Sequence, residues 1–203
     1  MTPHELPRTA GLDVVGTVAW GSPIPSDEEG VYVVSLDRDP DICAGLLAAP
    51  IDDHALLIWT QTADGLQMDG AQPTIAALRA RLESYWLTDE SILYVGKATN
   101  LNSRVGSYYR SKIGRRSPHR GGMWLKTLAI LESLWIHWCP TPKQEPESIE
   151  SLLLKAFVAG VSPTSRSVYP AADRNRPLPF ANLELRTDGR KYLRMHGLTN
   201  QAR

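Results

Sequence analysis

Ile92-Leu93-Tyr94-Val95-Gly96-Lys97-Ala98-Thr99-Asn100-Leu101-Asn102-Ser103-Arg104-Val105-Gly106-Ser107-Tyr108-Tyr109-Arg110 is the stretch around which the 203-residue chain is organised. Its first part, Ile92 to Val95, has the β-branched and aromatic content of a buried strand. Gly96 lets the backbone turn without a Cβ clash. Asn100 or Asn102 is then placed to cap a helix in which Leu101, Val105 and Tyr108 recur at helical spacing. A strand running into a helix brings Tyr94, Lys97, Arg104 and Tyr108 within reach of one pocket. Two phenols, an ammonium and a guanidinium together suit a phosphate ester.

Working outward, Gly30-Val31-Tyr32 opens a second apolar strand, Val31 to Leu36, and Leu134-Trp135-Ile136-His137-Trp138-Cys139 has the composition of a third. His137, between tryptophans, reads as a partly buried structural residue. After Pro140, Pro142 and Pro146 a helix is expected from about Ser148 to Ala159, with Ile149, Leu152, Leu153, Ala156 and Phe157 as its apolar face. Glu147 and Glu150, three apart, lie on neighbouring parts of one face of it. Pro179-Phe180-Ala181-Asn182 follows later.

In this order the segments resemble the GIY-YIG endonuclease family, over about residues 30–182. Gly30-Val31-Tyr32 is similar to the first signature and Tyr94-Val95-Gly96 to the second. Lys97, Arg104 and Tyr108 fall where members carry a lysine, an arginine and a histidine or tyrosine. Glu150 matches the metal-binding glutamate and Asn182 the asparagine of a closing Pro-x-x-Asn. The resemblance implies an α/β (α+β) fold with a small, mainly antiparallel three-stranded central sheet flanked by helices. It implies a metal-dependent endonuclease that hydrolyses phosphodiester bonds of DNA. Its site would contain Tyr32, Tyr94, Lys97, Arg104, Tyr108, Glu150 and Asn182, with Tyr94 as base and Glu150 as ligand of Mg²⁺ or Mn²⁺. One carboxylate is chemically sufficient for Mg²⁺, which keeps most of its water. Glu147 is the fallback ligand.

The chain departs from the family in two places. Between Tyr32 and Tyr94 lie 61 residues, read as an insertion at about 37–91. Within it, Pro73 to Trp86 carries Ile75, Leu78, Leu82 and Trp86 at helical spacing, and Ala55 to Thr60 reads as a short strand. Glu150 and Asn182 are 32 positions apart, so Ser162 to Pro179 reads as an extra loop. Asn182 can equally hydrogen-bond a turn after Pro179.

The formal net charge of zero hides a segregation. Residues 1–96 carry 15 acidic and 4 basic side chains; residues 97–131 carry 8 basic and no acidic ones. Such asymmetry points to a polyanion, here DNA, meeting one face, unless the acidic and basic halves pair internally. Arg110, Lys112, Arg115, Arg116, His119, Arg120 and Lys126 are the candidate phosphate contacts. His119 lies in the basic, glycine-containing loop 114–122, which could equally be an exposed turn; a second helix is expected over Met123 to Leu131. Residues 1–29 read as an arm with one strand, Leu12 to Trp20, broken by Gly16, and residues 184–203 as a basic tail.

No stretch approaches about 18 uninterrupted apolar residues, and the first residues lack the pattern of a signal peptide. Two cysteines, Cys43 and Cys139, are too few for a disulfide framework or a zinc site and read as reduced thiols in a cytoplasm. Two other classes compete with the nuclease. A non-catalytic nucleic-acid-binding module explains the basic window but not the joint occurrence of Glu150 and the tyrosine signatures. A protein-interaction domain would use the six tryptophans as core and interface.

Overall fold

The structure, a computed structural model, describes residues 1–63, 65–115, 123–141, 145–187 and 189–200. In chain order the elements are α1 (Glu5–Arg8), β1 (Gly16–Ala19), β2 (Gly30–Ser35), α2 (Asp53–Thr62), β3 (Leu66–Met68), α3 (Ile75–Glu83), β4 (Ile92–Ala98) and α4 (Leu101–Arg110). They continue with β5 (Trp135–Pro140), α5 (Pro146–Gly160), α6 (Pro163–Val168), β6 (Glu184–Thr187), β7 (Arg190–Leu193) and β8 (Leu198–Asn200). This is a mixed α and β chain built on an antiparallel sheet. The sheet has four strands, not the three expected, in the order β1-β5-β2-β4.

The β2 strand is interior to the sheet because its three valines favour burial and Ser35 finds buried partners in Asp37 O and His137, and every residue of it is buried. It is paired on both edges, with β4 and with β5. Gly30 opens it because a Cβ there would collide with the Cys139 carbonyl oxygen across the β2–β5 pair. The fourth strand is supplied by the N-terminal segment: Gly16 to Ala19 pair with Trp138 to Trp135. Gly16 does not break this strand. It starts it, since a Cβ there would lie 2.8 Å from the Trp138 indole.

His137 ties three strands together. Its ring nitrogens meet Thr17 Oγ1 of β1 at 2.8 Å and Ser35 Oγ of β2 at 2.7 Å. Burial drives its pKa down to about 4, so the ring is neutral in the fold. The unfolded chain takes up this proton near 6.5 and the fold only near 4, so His137's contribution is complete above pH 6.5 and is lost as pH falls towards 4. Urea melts should show His137→Leu less stable at pH 7, because Ser35 and Thr17 lose a partner. The wild-type advantage should shrink by roughly 1–3 kcal/mol between pH 7 and 4.5. An advantage unchanged over that interval would mean that His137 is not buried neutral.

The insertion differs from expectation in one element. Ala55 to Thr60 belongs to helix α2, because Asp52 caps it by accepting from the His54 N–H at 2.9 Å. Ala55, Leu56 and Trp59 are buried while Leu57 and Ile58 are exposed, which is helical and not alternating burial. The helix expected over Met123 to Leu131 is instead two 3₁₀ turns, Leu125–Thr127 and Leu131–Ser133. The insertion causes this: Asp52 N–H donates to Thr127 O and Ala129 N–H to Pro50 O, both at 2.8 Å, so tertiary pairing takes the groups a helix would use. Helix α3 forms where the periodicity puts it, capped by Thr74.

Ser162 to Pro179 contains a short helix, α6, capped by Ser162. The basic tail is folded as well: β6 and β7 pair as a hairpin, and β8 pairs with β3 of the insertion. No helix among the described residues is long and apolar enough to cross a membrane.

Candidate active site

Register brings the tyrosines together. Tyr32 lies opposite Gly96, and Tyr94 opposite Val34, so strand alternation puts both tyrosines on one sheet face. Gly96 makes the room, because a Cβ there would sit 2.6 Å from the Tyr32 ring and 2.7 Å from the Tyr94 ring. The ring centroids are 5.9 Å apart. Helix α4 begins where Asn100 caps it, its side-chain oxygen accepting from Ser103 N–H at 2.8 Å. That start points the apolar side of α4 at the sheet and sets Tyr108 against Tyr94, with centroids 5.7 Å apart. Trp20, just past β1, closes the back of Tyr108 edge-on at 5.2 Å.

All three phenols are buried, and all three are neutral near pH 7. Burial pushes Tyr94 up to about 12; the Glu150 charge adds to the rise and the Arg104 charge opposes it. Burial raises Tyr32 and Tyr108 well above 10, and Arg104 opposes both shifts. Arg104, one helical turn before Tyr108, is therefore the cation shared by the tyrosines. It makes no ion pair among the described residues. The Tyr32 hydroxyl is buried and directed at the Tyr94 hydroxyl, to which it acts as donor.

Helix α5 starts with Pro146 in its first turn and packs on β4 and β2. It delivers Glu147 and Glu150 to Lys97 of β4, whose Nζ lies 3.0 Å from one carboxylate and 3.6 Å from the other. The two acids are not equivalent. Glu150 is 20% exposed, and its loss of hydration outweighs Lys97, lifting it to about 7. Glu147 is 42% exposed and is held below its ordinary value, first by its hydrogen bond to Lys97. Its other oxygen takes Arg186 at 3.1 Å.

Glu184, Arg186 and Lys191 are members of this charge cluster that the tail assignment passed over. Glu184 accepts Lys191 at 2.5 Å and Arg186 at 3.4 Å, and its charge reaches both Glu150 and Tyr94. A signal for them existed: Leu183-Glu184-Leu185-Arg186 alternates apolar and charged residues directly after Asn182, the pattern of a half-buried strand.

Both polar atoms of the Asn182 side chain are engaged by the backbone of β4. It grips the outer edge of β4: Val95 N–H donates to its Oδ1 and its Nδ2 donates to Val95 O, both at 2.8 Å. Ala181 N–H adds a bond to Leu93 O at 2.9 Å. The side chain thus acts as one more strand residue and holds the backbone between Tyr94 and Gly96.

Of the candidate phosphate contacts, Arg110, Lys112 and Arg115 are exposed. Lys126 is half-buried, donating to Tyr109 O at 3.1 Å and lying over the Tyr108 ring. Arg116, His119 and Arg120 lie outside the described residues. His137 is fully buried in the sheet, between Thr17 and Ser35.

For a divalent ion, the fit rests on Glu150. No group of three or more His, Cys, Asp or Glu side chains converges to hold a metal among the described residues. A hydrated ion held by a single carboxylate needs no such group. A carboxylate at about 7 despite the nearby ammonium carries a charge that its surroundings undercompensate, so it suits a further cation. No family model, curated protein or solved structure matches the chain.

Proposed function

We propose that the chain is a metal-dependent DNA endonuclease of the GIY-YIG type, with its cleft between the tyrosine face of the sheet and the start of α5. The observation that carries this reading is geometric: Tyr94 lies between Tyr32 and Tyr108, with centroids 5.9 and 5.7 Å away, on the strand whose Lys97 meets Glu150 of α5 at 3.6 Å. The antiparallel sheet with α4 and α5 against it supports the same architecture.

In this reading Arg104 binds a phosphate oxygen through its planar fork, and Lys97 adds charge beside it. Tyr32 and Tyr108 orient the phosphate, and Tyr94 orients the attacking water. A hydroxyl at about 12 becomes a base only when positive charge lowers it, and Arg104 already acts in that direction. Glu150 would hold Mg²⁺ or Mn²⁺, which would supply charge neutralisation at the phosphate. Asn182 keeps β4 in register.

One observation favours a second reading, a non-catalytic nucleic-acid-binding module: Lys97 already lies 3.6 Å from Glu150. Nicking of supercoiled plasmid and cleavage of single-stranded DNA with Mg²⁺ or Mn²⁺, against EDTA, separates the two. Binding without metal-dependent cleavage of either would overturn the nuclease. If cleavage is present, Arg104→Ala should lower single-turnover rates about 10²–10³-fold, because it removes a charged donor used in the transition state. DNA affinity should change far less. An equal loss in rate and affinity would make Arg104 only a binding residue.

A further inference from the structure

Beside the cleft, the insertion and the segment after α4 enclose a groove of about 470 Å³, within the range of roughly 300–1,000 Å³ seen for small-ligand sites. Its walls are of two kinds. Lys112, Arg115 and Lys126 line it with cations, and Ala55, Ile58 and Ile113 give it an apolar floor. Asp52 also lines it, but its carboxylate is engaged as the cap of α2. Lys112 and Arg115 make no ion pair among the described residues. Lys126 donates to the Tyr109 carbonyl and makes no ion pair among the described residues. Lys126 also links two places, since it faces this groove and its ammonium lies 6.0 Å over the buried ring of Tyr108.

A purely electrostatic phosphate surface needs no apolar floor, and a purely apolar pocket would not gather three cations. Phosphate next to an unpaired base combines both needs. We propose that this groove holds a nucleoside phosphate, its phosphate on Lys112 and Arg115 and its base on Ile58 and Ile113. The proposal rests on the nucleic-acid reading of the cleft and adds to it. The strand leaving Arg104 and Tyr108 would be single-stranded where it crosses the insertion, so the favoured substrate would have a single-stranded flank. The insertion then acts as a strand-selecting wall in spite of its overall acidity. A free nucleotide offers the same chemistry.

The test is metal-free binding in EDTA of a fluorescein-labelled oligothymidylate of about twelve nucleotides. Ile58→Glu puts a like charge against the base and phosphate. Ile58 is 37% exposed, so the substitution should leave the fold intact, checked by thermal melt. Affinity for the single strand should fall about tenfold or more, and blunt duplex affinity much less. Lys112→Glu, at an exposed position, should weaken the single strand similarly. Displacement of the oligonucleotide by adenosine 5′-monophosphate at comparable concentration would identify the free nucleotide as the source of this chemistry. No displacement would identify the strand. Parent-like single-strand binding by both variants would overturn the groove, and so would loss with Lys112→Glu alone, which leaves only a charged surface. The nuclease reading fails separately: the unaltered protein would then cleave no DNA, whatever the groove variants bind.

Discussion

Glu150→Gln should abolish cleavage and, in the metal-free protein, raise stability. The two effects come from one cause. The cleft keeps this carboxylate mostly out of water, and Lys97 at 3.6 Å does not make up the loss, so its pKa rises from 4.5 to about 7. The unfolded chain releases that proton near 4.5, the fold only near 7. The folded state therefore binds more protons across this interval, and wild-type stability falls as pH rises from 4.5 to 7. Glutamine has nothing to ionise. In EDTA the variant should melt like wild type near pH 4.5 and outlast it at pH 8 by about 1–3 kcal/mol, a discounted conversion of the shift. Glu147→Gln should behave in the opposite sense at pH 8, because Glu147 is stabilised by Lys97 and Arg186; at its exposure the loss should be at most about 1 kcal/mol. With Mg²⁺, plasmid cleavage by Glu150→Gln should fall by at least about 10³-fold, since one carboxylate carries the ion. Retained metal-dependent cleavage would move the metal to Glu147 or end the proposal.

What sequence reading could and could not reach follows from the range of the interactions. Strands β2, β4 and β5 and helices α3, α4 and α5 were legible because their own composition, caps and periodicity suffice. The packing of Tyr108 on Tyr94 was legible because one strand and the helix that follows it carry them. Helix α2 was misread since Ala55-Leu56-Leu57-Ile58-Trp59-Thr60 is apolar in both periods, and the deciding group, Asp52, lies just outside the run. The 3₁₀ turns after Met123 were illegible because their hydrogen bonds go to Pro50 and Asp52, some 75 positions earlier. The fourth strand depends on Gly16 facing Trp138, a contact no local pattern announces. The difference between Glu147 and Glu150 was also out of reach. Both are helix glutamates three apart, and only packing makes one a solvated ion partner and the other a buried acid. Asn182 was legible only as a turn or motif residue, whereas in the fold its side chain continues a sheet edge.

The larger structural loss is expected from Arg194→Met, a residue in the segment read as tail. Arg194 is buried, at 5% exposure. Its guanidinium donates to Phe180 O at 2.6 Å, Leu178 O at 3.0 Å, Pro179 O at 2.9 Å and the Tyr169 hydroxyl at 2.8 Å. Tyr85, Trp124 and Tyr169 surround it within 6 Å, so a planar cation fills an aromatic box. No carboxylate pairs with it among the described residues; three carbonyls in a row do that work. Methionine restores volume but leaves those carbonyls without donors, at about 1–3 kcal/mol for each buried orphan. A total loss on the order of 4 kcal/mol is expected, a large part of a typical domain's 5–15 kcal/mol. Arg194→Lys should recover less than half, because one ammonium cannot span the carbonyls as the fork does. The consequence for the cleft is specific. Residues 178–180 lead directly into Ala181 and Asn182, whose bonds to Leu93 and Val95 hold β4. At a temperature where the variant is still folded, cleavage should therefore drop more than oligothymidylate affinity in EDTA, since Arg194 reaches the groove only through Trp124, two residues before Lys126. Urea midpoints measure the first claim and paired rate and binding titrations the second. A midpoint equal to wild type would show that the carbonyls find other donors, and the link from Arg194 through Asn182 to Tyr94 would fail with it.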